Sequence, residues 1–581
     1  MKFSLILLSF AMSALESCSS SPSSSSDIQR LAPGSSRFMS VTGTKGMVVA
    51  DDRVAAEWGT QILDQGGNAV DAAVATAFAM SVTRPHFASL GGGGFFVYCP
   101  HGKECTTIDY REKSPAAIGR DFYLRHVRAG QAPTDLSQNG ALASGVPGVT
   151  AGLLMALEKY GKLSRSQILK LPIELARRGY RFSGHSEVAA LDRWNEMNPE
   201  AKRLFGCDAK PCDPGTTIRQ PDLAKVLAEI EKHGAAGFYH GWVAHKIIAG
   251  LAASGGVMTE ADLAAYDAKI RKPLRGHYRG YEIISMPPPS SGGVLLLQLL
   301  GYAERAHAAG AFTQGFGSVA EIHAVAHAMG LAFADRAKYL GDSDQFSVPT
   351  EQLIAPQYLD HQWKSFSSGH AALPKAPGEP LKEFMKEPEH TTHLSVVDAE
   401  GNAVSLTTTV NDNFGSGFVP PGTGIVMNNQ MDDFSVQPGL PNMYGLIGSE
   451  ANAIAPGKRP LSMMTPTIVR DDNGEVRLVL GAQGGPRIAS AVFQTILNRY
   501  EFGMSLMDAV TSPRVHEQWR PEELRLEVWG FPLEVTTGLT HLGYRLQEMV
   551  DVGRIQALER LPSGRVFGAP DPRAEGAAVA Q

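Results

Sequence analysis

Apolar and polar residues alternate on both sides of a short turn in the C-terminal half of the chain. Leu394 and Val396 lead into Asp398-Ala399-Glu400-Gly401-Asn402, and Val404 and Leu406 follow it. Alternation with period two about a turn-forming pentad predicts two paired strands. Gly46-Met47-Val48-Val49-Ala50 reads as another strand. Arg53 to Gln65 has helical spacing, stopped by Gly66-Gly67. Asn68 is placed to cap the next helix. Asp71 to Val82 is almost entirely small or apolar, which predicts a helix buried between layers. Gly91-Gly92-Gly93-Gly94 precedes the apolar strand Phe95-Phe96-Val97-Tyr98. No Gly-Lys-Ser/Thr follows, so the glycines do not form a phosphate-binding loop. Close backbone approach and unusual dihedrals are their expected use. From about Gly148 to Asp342 helical patterns dominate: Val149–Tyr160, Asp222–His233, Trp242–Ala253, Gly292–Ala308 and Val319–Tyr339. From Thr392 onward strands and Gly/Pro turns take over. Strands at both ends with helices between predict a layered α/β body whose sheets combine both halves of the chain.

Composition narrows the class. The 581 residues are 43% hydrophobic and 19% charged, which is globular, and length alone suggests two to four domains. A formal net charge of -6 at this size predicts neither nucleic-acid binding nor adsorption to anionic lipid. Function must come from a site. Met1-Lys2 and the apolar run Phe3 to Leu15 have the shape of a secretory signal, too short for a stable membrane span. Cys18 and a serine-rich tract to Ser26 then suit a flexible tether. Leu15-Glu16-Ser17-Cys18 resembles a bacterial lipoprotein box, although Glu16 departs from it. That implies a lipid anchor at Cys18 and a periplasmic or outer-membrane location, with cleavage and secretion as the alternative. The other four cysteines form two close pairs, Cys99/Cys105 and Cys207/Cys212, each bracketing a Pro-containing loop. Local disulfides in an oxidising compartment explain them better than a zinc site, whose common spacings they do not match.

Thr391 opens the hairpin, and a threonine hydroxyl is a poor nucleophile until a base takes its proton. Cutting the peptide bond between His390 and Thr391 would free an α-amino group able to be that base. The segment resembles the start of the small subunit of the γ-glutamyltranspeptidases, a family of N-terminal-nucleophile hydrolases. Further stretches carry the same resemblance: Asn428–Phe434, Lys458–Ser462, Gly484-Gly485, Pro513–His516, Asp571-Pro572-Arg573 and Gly576–Ala578. It runs from about Gly46 to Ala578. It implies a four-layer αββα sandwich formed by a large subunit (27–390) and a small one (391–581), after a leader and tether (1–26). The implied reaction moves the γ-glutamyl group of glutathione or another γ-glutamyl amide to water, an amino acid or a short peptide, with no metal or organic cofactor.

The resemblance also implies roles. Thr409 orients the Thr391 hydroxyl, and Gly484 and Gly485 supply oxyanion-hole N–H groups. Arg111 and Ser462 hold the donor's α-carboxylate, and arginine's planar fork suits that task. Asn411, Gln430 and Asp433 receive its α-ammonium. Gln437 to Gly448, with Tyr444, forms a lid. One departure stands out: the family commonly has Ser-Ser where this chain has Ser462-Met463. One hydroxyl to the carboxylate is therefore missing, a loss on the order of 1 kcal/mol. His323 and His327, four apart on a helix, read as core packing rather than metal ligands. Ser290 and Ser291 read as a loop capping the helix from Gly292, not as a nucleophile elbow. Two rival functions are a cephalosporin (glutaryl) acylase of the same superfamily and a non-catalytic surface lipoprotein. Asp433 argues against the first, because a glutaryl group brings no cation to it.

Overall fold

The computed structural model describes residues 40–127, 132–371 and 391–581. The leader, Cys18 and His390 lie outside the described residues. Two seven-stranded antiparallel sheets face each other. The first runs, from edge to edge, Ala577–Ala580, Met47–Ala50, Thr392–Val397, Ala403–Thr409, Gly93–Cys99, Thr106–Tyr110 and Lys269–Arg271. The second runs Val41–Gly43, Val566–Pro570, Arg554–Arg560, Val476–Gln483, Thr467–Arg470, Tyr281–Ser285 and Leu274–Tyr278. Helices Arg53–Asp64, Ala69–Thr83 and Val149–Tyr160 cover the first sheet, and Gly292–Ala308 and Arg487–Tyr500 cover the second. This is the expected αββα sandwich. The described residues form a single compact unit rather than the two to four domains that length suggests. The reason is topological: each sheet draws strands from both ends of the chain.

Local chemistry explains the elements that frame the site. Asn68 caps the Ala69–Thr83 helix by accepting from the Val70 and Asp71 N–H groups, and Asp71 returns a bond to the Asn68 N–H, a capping box. Every residue of that helix is buried. In the central hairpin Thr392 pairs with Thr408, Leu394 with Leu406 and Val396 with Val404. Even-numbered Leu394, Val396, Val404 and Leu406 join the core beneath the helices. Odd-numbered positions therefore face the second sheet. Val397 and Ala403 there pack on Val479 and Leu558 in an apolar inter-sheet core. Toward the start of the hairpin the same face turns polar. Ser395 Oγ donates to Gln556 O and Ser405 Oγ to Leu480 O, both at 2.9 Å.

Two expectations need correction. The Gly91–Gly94 run does serve close approach: a Cβ on Gly92 would lie 2.0 Å from Thr409 O, and one on Gly94 2.3 Å from Thr407 O. None of the four has a positive φ, so unusual dihedrals are not their use. The helical middle of the chain also hides a hairpin, Leu274–Tyr278 and Tyr281–Ser285, turned by Arg279 (φ 51) and Gly280 (φ 82). Disulfides join Cys99 to Cys105 and Cys207 to Cys212, each closing a tight connection between paired strands.

Candidate active site

Thr391 stands one residue before its strand, and the hairpin register places it across from Thr409. Its Oγ1 donates to Thr409 Oγ1 at 3.3 Å, and Thr409 Oγ1 accepts from the Asn411 N–H at 2.9 Å. Both threonines occupy odd positions, so both point between the sheets. Asn411, with φ 78, turns the chain sharply where it leaves the strand.

The facing sheet brings the glycines. Its Val476–Gln483 strand delivers Gly484 (φ +134) and Gly485 (φ +55) to the start of the Arg487–Tyr500 helix. These backbone angles favour glycine. Neither N–H donates to an acceptor among the described residues, and Gly485 lines the same recess as Thr391. Free N–H groups at a helix N-terminus suit a developing negative charge.

The recess is lined by Thr391, Thr409, Gly485, Arg111, Asn411, Gln430, Asp433, Tyr444, Ser462 and Met463. The structure thus gathers the expected nucleophile, one of the two expected oxyanion glycines, the five expected substrate-binding residues and the expected lid tyrosine; Gly484 directly precedes Gly485. Arg111 is fully buried and donates to the Asp433 carboxylate, to Pro460 O (3.2 Å) and to Leu461 O (3.3 Å). Gln430 Nε2 also donates to Asp433 (3.2 Å). Burial pushes the Asp433 carboxyl up, opposed by Arg111. Opposite charges close together match a substrate head carrying both an ammonium and a carboxylate. Ser462 Oγ accepts from the Met464 N–H (3.1 Å), and Met463 presents a thioether where a second hydroxyl is usual. Asn411 differs from expectation in its partner: its Oδ1 accepts from the Tyr444 hydroxyl at 2.8 Å. Tyr444 also lies against Gly485, where a Cβ would sit 3.0 Å from its ring.

Four groups near the site escape sequence reasoning. With its amide oriented to satisfy both neighbours, Gln483 donates to Thr391 O (2.5 Å) and to Asp51 Oδ2 (3.2 Å). Burial pushes the Asp51 carboxyl up to about 7. Glu112 lies beside Arg111, its carboxyl also raised to about 7 by burial. Arg336, distant in sequence, lines the recess. Only the Gln483-Gly484-Gly485 adjacency offers a sequence signal for any of them. The decoys resolve as packing and capping. His323 bonds Tyr544 and Ser367 O, His327 bonds Ser365, and Ser290 Oγ accepts from the Gly292 N–H. Among the described residues, no lysine or histidine lines the recess.

Comparison with known proteins identifies the family. A family model described as Gamma-glutamyltranspeptidase matches residues 55–581. A glutathione hydrolase proenzyme of Escherichia coli is 40% identical over 542 residues, covering 92% of each chain. Among solved structures, a cephalosporin acylase from Bacillus halodurans superposes with a TM-score of 0.81 at 26% identity, over 98% of this chain and 99% of the other. The Helicobacter pylori gamma-glutamyltranspeptidase gives 0.52 at 40% identity, over 54% and 90%. Matched along nearly its whole length, the chain belongs to the gamma-glutamyltranspeptidase family.

Proposed function

We propose that the chain is a self-processing γ-glutamyltransferase and glutathione hydrolase, with Thr391 as nucleophile. The observation that carries this reading is the Thr391–Thr409 hydroxyl pair in one recess with the Arg111–Asp433 charge pair. In maturation the Thr391 hydroxyl attacks the His390 carbonyl. The peptide C–N bond breaks, an ester forms, and water hydrolyses the ester. A large subunit (27–390) and a small subunit (391–581) result.

In turnover the freed α-amino group, with an ordinary pKa of about 7.7–8.0, takes the Thr391 hydroxyl proton. The oxygen attacks the donor's γ-carbonyl, and the Gly484 and Gly485 N–H groups stabilise the oxyanion. Collapse expels the amine, which receives that proton, and leaves a γ-glutamyl ester on Thr391. Water or an acceptor amine of an amino acid or peptide then attacks the ester. Arg111 and Ser462 hold the α-carboxylate; Asp433, Gln430 and Asn411 hold the α-ammonium. Since Arg111 and Asp433 pair with each other here, the zwitterionic head would exchange one ion pair for two.

The overall likeness to a cephalosporin acylase favours glutaryl amides as a second reading. Asp433 weighs against it, because a glutaryl donor leaves that buried carboxylate without a cation from the substrate. Competing γ-glutamyl-p-nitroanilide against glutaryl-p-nitroanilide decides the matter: the first is expected to be cleaved at least ~100-fold faster in kcat/KM. Comparable rates would favour the acylase. The signal-like leader and two disulfides support export to the periplasm or outside the cell, anchored through Cys18 or released. Membrane fractionation of wild type and Cys18→Ala tests the anchor.

A further inference from the structure

Arg336 is a buried cation that forms no salt bridge among the described residues. It lies in the last turn of the Val319–Tyr339 helix, 6% exposed, and lines the recess beside Thr391. Its one side-chain hydrogen bond among the described residues runs from Nε to Ser291 Oγ at 3.3 Å. Three other buried arginines have carboxylate partners: Arg84 pairs with Asp52, Arg111 with Asp433 and Arg514 with Asp571. A desolvated guanidinium without a salt bridge is costly, and its place in the recess points to an anion that arrives. Burial pulls its pKa down to about 10, and Asp433 is the group opposing that pull.

Its position says which anion. Ser291 Oγ, which Arg336 touches, donates to Ser462 O (2.6 Å) and contacts Met463 Sδ (3.5 Å). Arg111 reaches the same segment through Pro460 O and Leu461 O. Two guanidiniums thus flank the stretch that carries Ser462, and the Asp433 carboxylate senses both. When Asp433 turns to a substrate ammonium, both cations need a negative partner. We propose that Arg336 is a specificity-determining contact for the donor's α-carboxylate, acting with Arg111 where Met463 offers no hydroxyl. This rests on the γ-glutamyl reading of the site.

The test compares γ-glutamyl-p-nitroanilide with its α-carboxamide analogue in wild type, Arg336→Gln and Arg336→Lys, each checked for the processed small fragment. Loss of a charge-assisted contact is expected to raise KM for the carboxylate donor about 10-fold or more in Arg336→Gln, with kcat nearly kept. Arg336→Lys should fall between, and kcat/KM for the carboxamide donor should be the same in all three. If Arg336→Gln stays unprocessed, Arg336→Lys carries the comparison with an expected rise of about 3-fold or more. Equal losses on both donors would reduce Arg336 to a support for the Ser291 loop and overturn the proposal, as would unchanged KM. Wild type that ignores both donors yet cleaves a glutaryl anilide would instead remove the γ-glutamyl reading itself.

Discussion

At the scale of single residues, the site rests on parity. Thr391 and Thr409 face each other because both occupy odd positions of one hairpin, and the pair is legible in the sequence once its register is read. Thr409→Val keeps the shape and removes the hydroxyl. It should lower kcat about 10- to 100-fold with little change in KM, measured by steady-state anilide cleavage. An unchanged kcat would deny Thr409 its orienting role. Asp433→Asn removes the charge proposed to meet the ammonium. Its kcat/KM for the γ-glutamyl donor should fall about 100-fold while that for a glutaryl donor rises. Arg336 and Asp51 are not legible in this way. Their relation to Thr391 is purely spatial, and no local pattern announces which side chain of a distant helix or strand will reach a recess.

At the scale of elements, the hairpin and the Gly-Gly turn come from opposite sheets and must be held in register. His393 does part of this. Its ring, bonded to Thr407 Oγ1 (2.8 Å) and Ser395 Oγ (3.2 Å), lies against Gly481, where a Cβ would sit 2.3 Å from the ring. Gly481→Ala should therefore destabilise the sandwich by about 1–3 kcal/mol, read by denaturant unfolding. His393 has its pKa lowered by burial to about 3, against an ordinary 6.5. The unfolded state binds the proton first, so this group's stabilising share is complete above about 6.5 and is lost as pH falls toward about 3. Relative to His393→Gln, wild type should lose stability across that window; parallel curves for the two would contradict the assignment. The strands of the central hairpin are legible because alternation and turn chemistry agree. The Leu274–Ser285 hairpin is not, since Arg279-Gly280 is a weaker turn signal than Asn-Gly and its strands carry mixed polarity at a sheet edge.

At the scale of the whole molecule, strands from before and after Thr391 alternate within the same sheet. Met47–Ala50 and Gly93–Cys99 flank the Thr392–Thr409 hairpin on its two sides. Cleavage before Thr391 should therefore leave the two pieces together: they should co-elute in native size-exclusion chromatography and part only in denaturant. A layered α/β body is legible from strands at both ends and helices between, and the resemblance to the family supplies its αββα order. The single compact body is not foreseen by length, which says nothing about how far apart in sequence neighbouring strands lie. The central claim is that Thr391 becomes a nucleophile by becoming an N-terminus. N-terminal sequencing of the small fragment from purified protein tests it most directly, with Thr391→Ala alongside. The account predicts a fragment beginning Thr-Thr-His-Leu and spanning 391–581 in wild type, and an uncut, inactive chain in the variant. An intact wild-type chain that still cleaves γ-glutamyl amides, or a fragment beginning elsewhere, would contradict it.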